Sequence, residues 1–151
     1  VTVLDTSAAV DYLLGVGVSE QVQRLMGEER LLAAPDLLVF EVLAVLRRAW
    51  HRGVITGERA AGAVSDLGEL PVQLFPSLPL RERAWALRAN LTAADALLVA
   101  LAESLDEPLA TKDEALAHEA AKHASLEVVA LRGARSPETP DGSPRQDEQP
   151  A

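Results

Sequence analysis

The pattern that most restricts this chain is an alternation. Short apolar runs, VTVLD (1–5), LLAA (31–34), VQLF (72–75), PLAT (108–111) and LEVVAL (126–131), the first of them rich in β-branched residues, are separated by longer stretches with helix-starting residues. Strands spaced by whole helices pair as parallel neighbours, because a parallel pair needs a crossover of a dozen or more residues. Parallel sheets are covered on both faces. The expected fold class is therefore α/β, a three-layer α/β/α sandwich with a central, mostly parallel sheet.

Helix boundaries follow from local chemistry. Thr6 and Ser7 are expected to cap a helix to about Leu14, where Gly15 and Gly17 break it, and a second helix runs from about Ser19 to Glu29. Pro35 is expected to open a helix that continues to about Arg52, with Gly53 past its end. Thr56 caps a helix to about Leu70, another covers about Leu80 to Asn90, Thr92 opens TAADALLVALAESLD, and Asp113 begins a helix to about His123. No repeat of fixed period and no second folded domain is evident. Residues 1–132 are expected to form the domain. Residues 133–151, GARSPETPDGSPRQDEQPA, hold four prolines and no aromatic or large aliphatic side chain, and are expected to be a disordered tail.

Composition narrows the chemistry. The chain is 48% hydrophobic but only 3% aromatic, so Leu, Val and Ala must fill the core. It has no cysteine, which excludes disulfides and thiolate metal sites and fits a cytoplasmic protein. The longest apolar run, Ala96 to Ala102, falls far short of the roughly 18 residues of a membrane span. The opening VTVLDTSAAV lacks the basic start of a secretory signal. The net charge of −9, of which the tail carries −2, argues against a protein that grips nucleic acid through a basic surface.

One residue resists an ordinary reading. In PDLLVFEVLAVLRR, Glu41 has Leu37, Leu38, Ala44 and Val45 at helical neighbour positions, and an ionised carboxylate on such a face is costly unless compensated. Read as lying more than one turn inside its helix, Glu41 is no cap. Three further acids belong near the carboxyl ends of the strands, where open α/β sheets bind ligands. Asp5 ends the first strand, Asp113 follows the fourth, and Asp95 projects from the helix opened by Thr92. Each has an ordinary role available: Asp5 in a strand-to-helix turn, Asp95 in a capping box with Thr92, Asp113 as an N-cap. Gathered at one edge, the acids would repel one another unless a cation neutralised them, and oxygen ligation suits Mg²⁺ or Mn²⁺. His51, His118 and His123 read as surface histidines, and Phe40, Trp50, Phe75 and Trp85 as fillers of the core or an interface. Arg47, Arg48 and Arg52 compensate a helix C-terminus, and Arg81, Arg83 and Arg88 form a solvated face. Neither group reads as an RNA groove.

VLDTSA at the start, PDLLVFEVLAVLRR, LTAADALLVALAE and LATKDEAL, in that order over about residues 1–131, resemble the PIN domain, and among PIN domains the toxin ribonucleases of bacterial VapBC toxin–antitoxin systems. Asp5, Glu41, Asp95 and Asp113 match the family's acidic positions, and Thr6 and Thr111 its hydroxyl positions beside them. Ala94 replaces an aromatic common in relatives. The resemblance implies a sandwich with a central parallel sheet and an endoribonuclease that depends on Mg²⁺ or Mn²⁺, the ion being held by the four acids. It also implies homodimerisation and inhibition by a cognate VapB-type antitoxin. Thr6 or Thr111 would orient the nucleophilic water or a carboxylate, a role that competes with capping and turn formation. Two rivals differ in class: a catalytically silent module of the same fold acting through antitoxin binding and dimerisation, and a phosphatase or phosphoreceiver built on Asp5. For the phosphatase a second Asp two residues on is wanted, and Ser7 stands there. A dinucleotide-binding reading fails for want of a glycine-rich loop after the first strand.

Overall fold

The computed structural model describes residues 1–28 and 31–133. The expected tail, apart from Gly133, lies outside the described residues. The elements run β1 (Thr2–Leu4), α1 (Thr6–Leu14), α2 (Ser19–Gly27), β2 (Leu32–Pro35), α3 (Leu38–His51), α4 (Gly57–Leu67) and β3 (Val72–Phe75). After a 3-10 turn (Leu78–Leu80) follow α5 (Arg81–Ala86), α6 (Ala93–Leu105), β4 (Leu109–Thr111), α7 (Glu114–His123) and β5 (Val128–Ala130).

All four strand pairings are parallel, in the order β3-β2-β1-β4-β5, so the sheet is wholly rather than mostly parallel. Successive strand residues point to opposite faces. Leu4, Leu32, Ala34 and Ala110 pack with α1 to α4 on one face, and Val3, Ala33 and Leu109 with α5 to α7 on the other. Two helical layers thus enclose the sheet, the sandwich the alternation implied. The chain builds outward from β1 through β2 to β3, then crosses back to β4 on the other side. That reversal opens a crevice at the carboxyl ends of β1 and β4, where this architecture places ligands. None of the described helices is long and apolar enough to cross a membrane.

Several boundaries differ from expectation. Pro35 closes β2 opposite Phe75 instead of opening a helix. The Asp36 amide continues the ladder to the Phe75 carbonyl at 2.8 Å, one residue past the proline, which takes the strand-end position that tolerates a missing N–H. Helix α3 consequently begins at Leu38. Asp5, not Thr6 or Ser7, is the N-cap of α1. Helix α5 stops at Ala86 rather than near Asn90, because the chain tightens into i→i+3 turns from Trp85 to Arg88 and from Leu87 to Asn90 that bury Leu87 and Leu91. Of the four aromatics assigned to the core or an interface, Phe40 (68%), Trp50 (50%) and Trp85 (69%) are too exposed to fill the core. Phe75, half-buried, packs against the core.

Candidate active site: an acidic cleft at four helix starts

Asp5 follows β1 directly and is only 3% exposed. Its Oδ1 accepts the Ala8 backbone N–H at 2.8 Å, the bond that caps α1, and the Ser7 hydroxyl at 3.1 Å. Its Oδ2 accepts the Thr111 hydroxyl from the end of β4. Burial pushes the Asp5 carboxyl above its ordinary value, against the pull of those hydrogen bonds and of the Lys112 charge.

Glu41 lies in the first turn of α3, not deep inside it, because that helix starts three residues later than the sequence suggested. It therefore stands at the positive end of the helix dipole. Its Oε1 accepts the Thr6 hydroxyl at 2.9 Å. Part of its compensation is thus a hydroxyl and a helix start. Burial still raises its pKa, and the charges of Asp95 and Asp5 raise it further.

The other two acids combine their ordinary roles with a place in the cleft. The Asp95 amide donates to the Thr92 hydroxyl at 3.3 Å, as the capping reading required. Burial raises the Asp95 carboxyl, Asp113 and Asp5 add to the effect by repulsion, and the Thr92 hydroxyl offsets part of it. Asp113 caps α7 by accepting the Leu116 N–H at 3.0 Å, and its own N–H donates to the Thr111 hydroxyl at 3.0 Å.

All four acids thus stand at the first turn or cap of four different helices. The crossovers bring these helix starts to one edge of the sheet, and Asp5, Glu41, Asp95 and Asp113 line one cleft of about 290 Å³. Thr6 lines it too, while Thr111 stands beneath, bonded to Asp5. Lys112 is the sole cation among the lining residues. The expected arginine groups stay outside: Arg83 is spent on Glu103, Arg81 on Glu82, and Arg88 lies over the Trp85 ring. His123 Nε2 lies 3.1 Å from Glu119 Oε2, and neither residue lines the cleft.

Sequence reasoning missed Asp11 and Ser7. Asp11 interrupts the apolar run AAVDYLL much as Glu41 interrupts its own helix, and that signal was there to be read. It is buried and pairs with Lys112. The Ser7 contact, two residues from Asp5, is a local turn bond that leaves no distinct trace in a sequence.

Comparison with known proteins identifies the family. Residues 2–122 match the model of the PIN domain family. Ribonuclease VapC1 of Mycobacterium tuberculosis is 45% identical over 116 residues, covering 76% of this chain and 87% of that protein. Ribonuclease VapC12 of the same species is 39% identical over 129 residues, covering 85% and 98%. Among solved structures, VapBC2 from Rickettsia felis bound to a promoter DNA fragment superposes with a TM-score of 0.63 at 12% identity, covering 85% of this chain and 97% of that one. FitAcB from Neisseria gonorrhoeae gives 0.59 at 16% identity, covering 87% and 98%. These two likenesses speak for the fold alone. With the family model spanning β1 to α7 and curated relatives matched over most of their length, the chain belongs to the PIN-domain family, within its VapC ribonucleases.

Proposed function

We propose that the cleft hydrolyses RNA with one or two divalent ions, Mg²⁺ or Mn²⁺, held by Asp5, Glu41, Asp95 and Asp113, and that the chain is the toxin of a type II toxin–antitoxin pair. The observation that carries the proposal is the charge imbalance: five carboxylates line one cleft, three with raised pKa values, against a single cationic side chain that is bound to the fifth of them, Asp11.

The donor set fits a hard cation. Every candidate ligand is an oxygen, with no thiolate and no imidazole beside it. Among the described residues no three carboxyl or imidazole groups stand ready to grip an ion as they are. Binding therefore requires these side chains to close inward or to act through water. When bound, such an ion acidifies water and neutralises charge on phosphoryl oxygens.

The chain's own residues supply the rest. Thr111, Ser7 and the Ala8 amide fix the Asp5 carboxylate in one orientation. Thr6 fixes one oxygen of Glu41 and leaves the other for a cation. Asp113 spends Oδ1 on its helix cap and keeps Oδ2 for the ion or for a water bound to it. Thr6 and Thr111 are thus positioning residues for carboxylates, which is one of the two roles their places in the sequence suggested.

A cognate VapB-type antitoxin and a homodimeric working form complete the reading. Exposed Val39, Phe40 and Leu43 on α3 offer apolar surface for protein partners. That surface equally suits the rival, a silent module acting through antitoxin binding alone. Incubating the purified chain with a panel of RNAs separates the two: cleavage is expected with Mg²⁺ or Mn²⁺ and not with EDTA or in Asp5→Asn. Cleavage that survives both treatments identifies a contaminating nuclease and removes the proposal.

A further inference from the structure

A cation is held at the rim of the acidic cleft by residues outside the acidic quartet. Lys112 stands in the turn between β4 and α7, flanked by Thr111 and Asp113. Its Nζ lies 2.8 Å from Asp11 Oδ2. Asp11, on α1, is only 8% exposed, and the same oxygen accepts the Val18 backbone N–H at 3.1 Å. The loop closing over it passes Gly17, whose φ of +53° and lack of a Cβ are both required, since a Cβ there would collide with the Asp11 carboxylate. Breaking a buried ion pair leaves an uncompensated charge, so the Asp11 carboxylate holds Lys112 in place.

Yet Lys112 is not used up by the pairing. Its side chain keeps 36% exposure and lines the cleft beside all four acids. An ammonium carries three donors, and Asp11 takes one. Besides the divalent ions proposed above, Lys112 is the one cationic side chain along a lining otherwise made of carboxylates, hydroxyls and apolar groups, and so the one protein group there placed to meet a phosphate of an anionic strand.

We propose that Lys112, anchored by Asp11, is a substrate-binding residue that engages a phosphate of the RNA strand and sets its position over the four acids. This rests on the cleft being the nuclease site. A simple structural ion pair is the competing account, and it predicts no effect on RNA affinity.

Affinity for a fluorescein-labelled, mixed-sequence single-stranded RNA distinguishes them. It is measured by anisotropy in an Asp5→Asn background, so that the strand stays intact. Lys112→Met is expected to weaken binding about 5- to 10-fold, the loss of one charge-assisted contact. The slope of log affinity against log salt should become shallower by about 0.7, one phosphate contact on a single strand. Lys112→Arg, which keeps the charge, should retain the wild-type slope. The double variant Asp11→Asn/Lys112→Met leaves no unpaired buried charge, and should show the same shallower slope even if Lys112→Met folds poorly. Unchanged affinity and slope in a folded Lys112→Met or double variant, with only the melting temperature lowered, would overturn the proposal, as would undetectable RNA binding by the Asp5→Asn parent. The separate failure of the Asp5-intact chain to cleave RNA would strike the nuclease reading instead.

Discussion

The Thr111 hydroxyl joins two acids that are far apart in sequence: it donates to Asp5 Oδ2 and accepts the Asp113 backbone N–H at 3.0 Å. Because β4 lies beside β1, a side chain ending one strand holds the carboxylate that ends the other. Thr111→Val keeps the shape and removes both bonds, leaving a buried carboxylate oxygen and an amide unsatisfied. The expected cost is about 1–3 kcal/mol of stability, read as a lowered melting temperature. RNA cleavage should fall with it, while Thr111→Ser should retain most of both.

Glu41 offers a test in which stability and activity move in opposite directions. Burial raises the Glu41 carboxyl, as it does those of Asp5 and Asp95. A carboxyl whose folded pKa exceeds its unfolded value contributes stability fully present below the unfolded pKa, near about 4, and lost as pH rises through the folded value. In metal-free buffer, Glu41→Gln keeps the acceptor for Thr6 and removes the charge. It should therefore melt above wild type at pH 7, with the difference fading as pH falls towards the ordinary carboxylate range, and it should not cleave RNA at any pH. Wild type melting higher at neutral pH without metal would contradict the burial account of Glu41.

Gly17 is expected to tolerate no side chain. Gly17→Ala combines a left-handed φ of +53° with a collision against the Asp11 carboxylate. A destabilisation of about 1–3 kcal/mol is expected, measurable by denaturant titration. Gly27, with nothing within 4 Å of a Cβ and no positive φ, serves as the control and should accept alanine with little loss.

Strands were legible wherever a short apolar run stood between turn signals: burial on both faces leaves few other choices for Thr2–Leu4, while VQLF, a partly exposed edge strand, was marked by the prolines on either side of it. Helix starts with a Thr or Asp cap, at Thr56, Thr92 and Asp113, were legible for the same local reason. Pro35 was misread because a proline suits both a helix start and a strand end, and only the pairing with Phe75 decides between them. That single shift moved Glu41 from the apparent middle of a helix to its first turn. Its compensation then includes Thr6, a partner 35 residues away that no local rule could supply. The four acids themselves stood out as charges beside or within apolar runs. Asp11 carried the same signal, but its meaning depends on Lys112, placed next to it only by the β1–β4 crossing.

The central claim is that side chains from four helix starts share a hard divalent cation. Diffraction from crystals soaked in Mn²⁺, with data collected at the manganese absorption edge, tests it most directly. Anomalous density is expected in the cleft between Asp5, Glu41 and Asp95, and should vanish in Asp5→Asn crystals. Density elsewhere on the protein, or in the same place in the variant, would contradict the account.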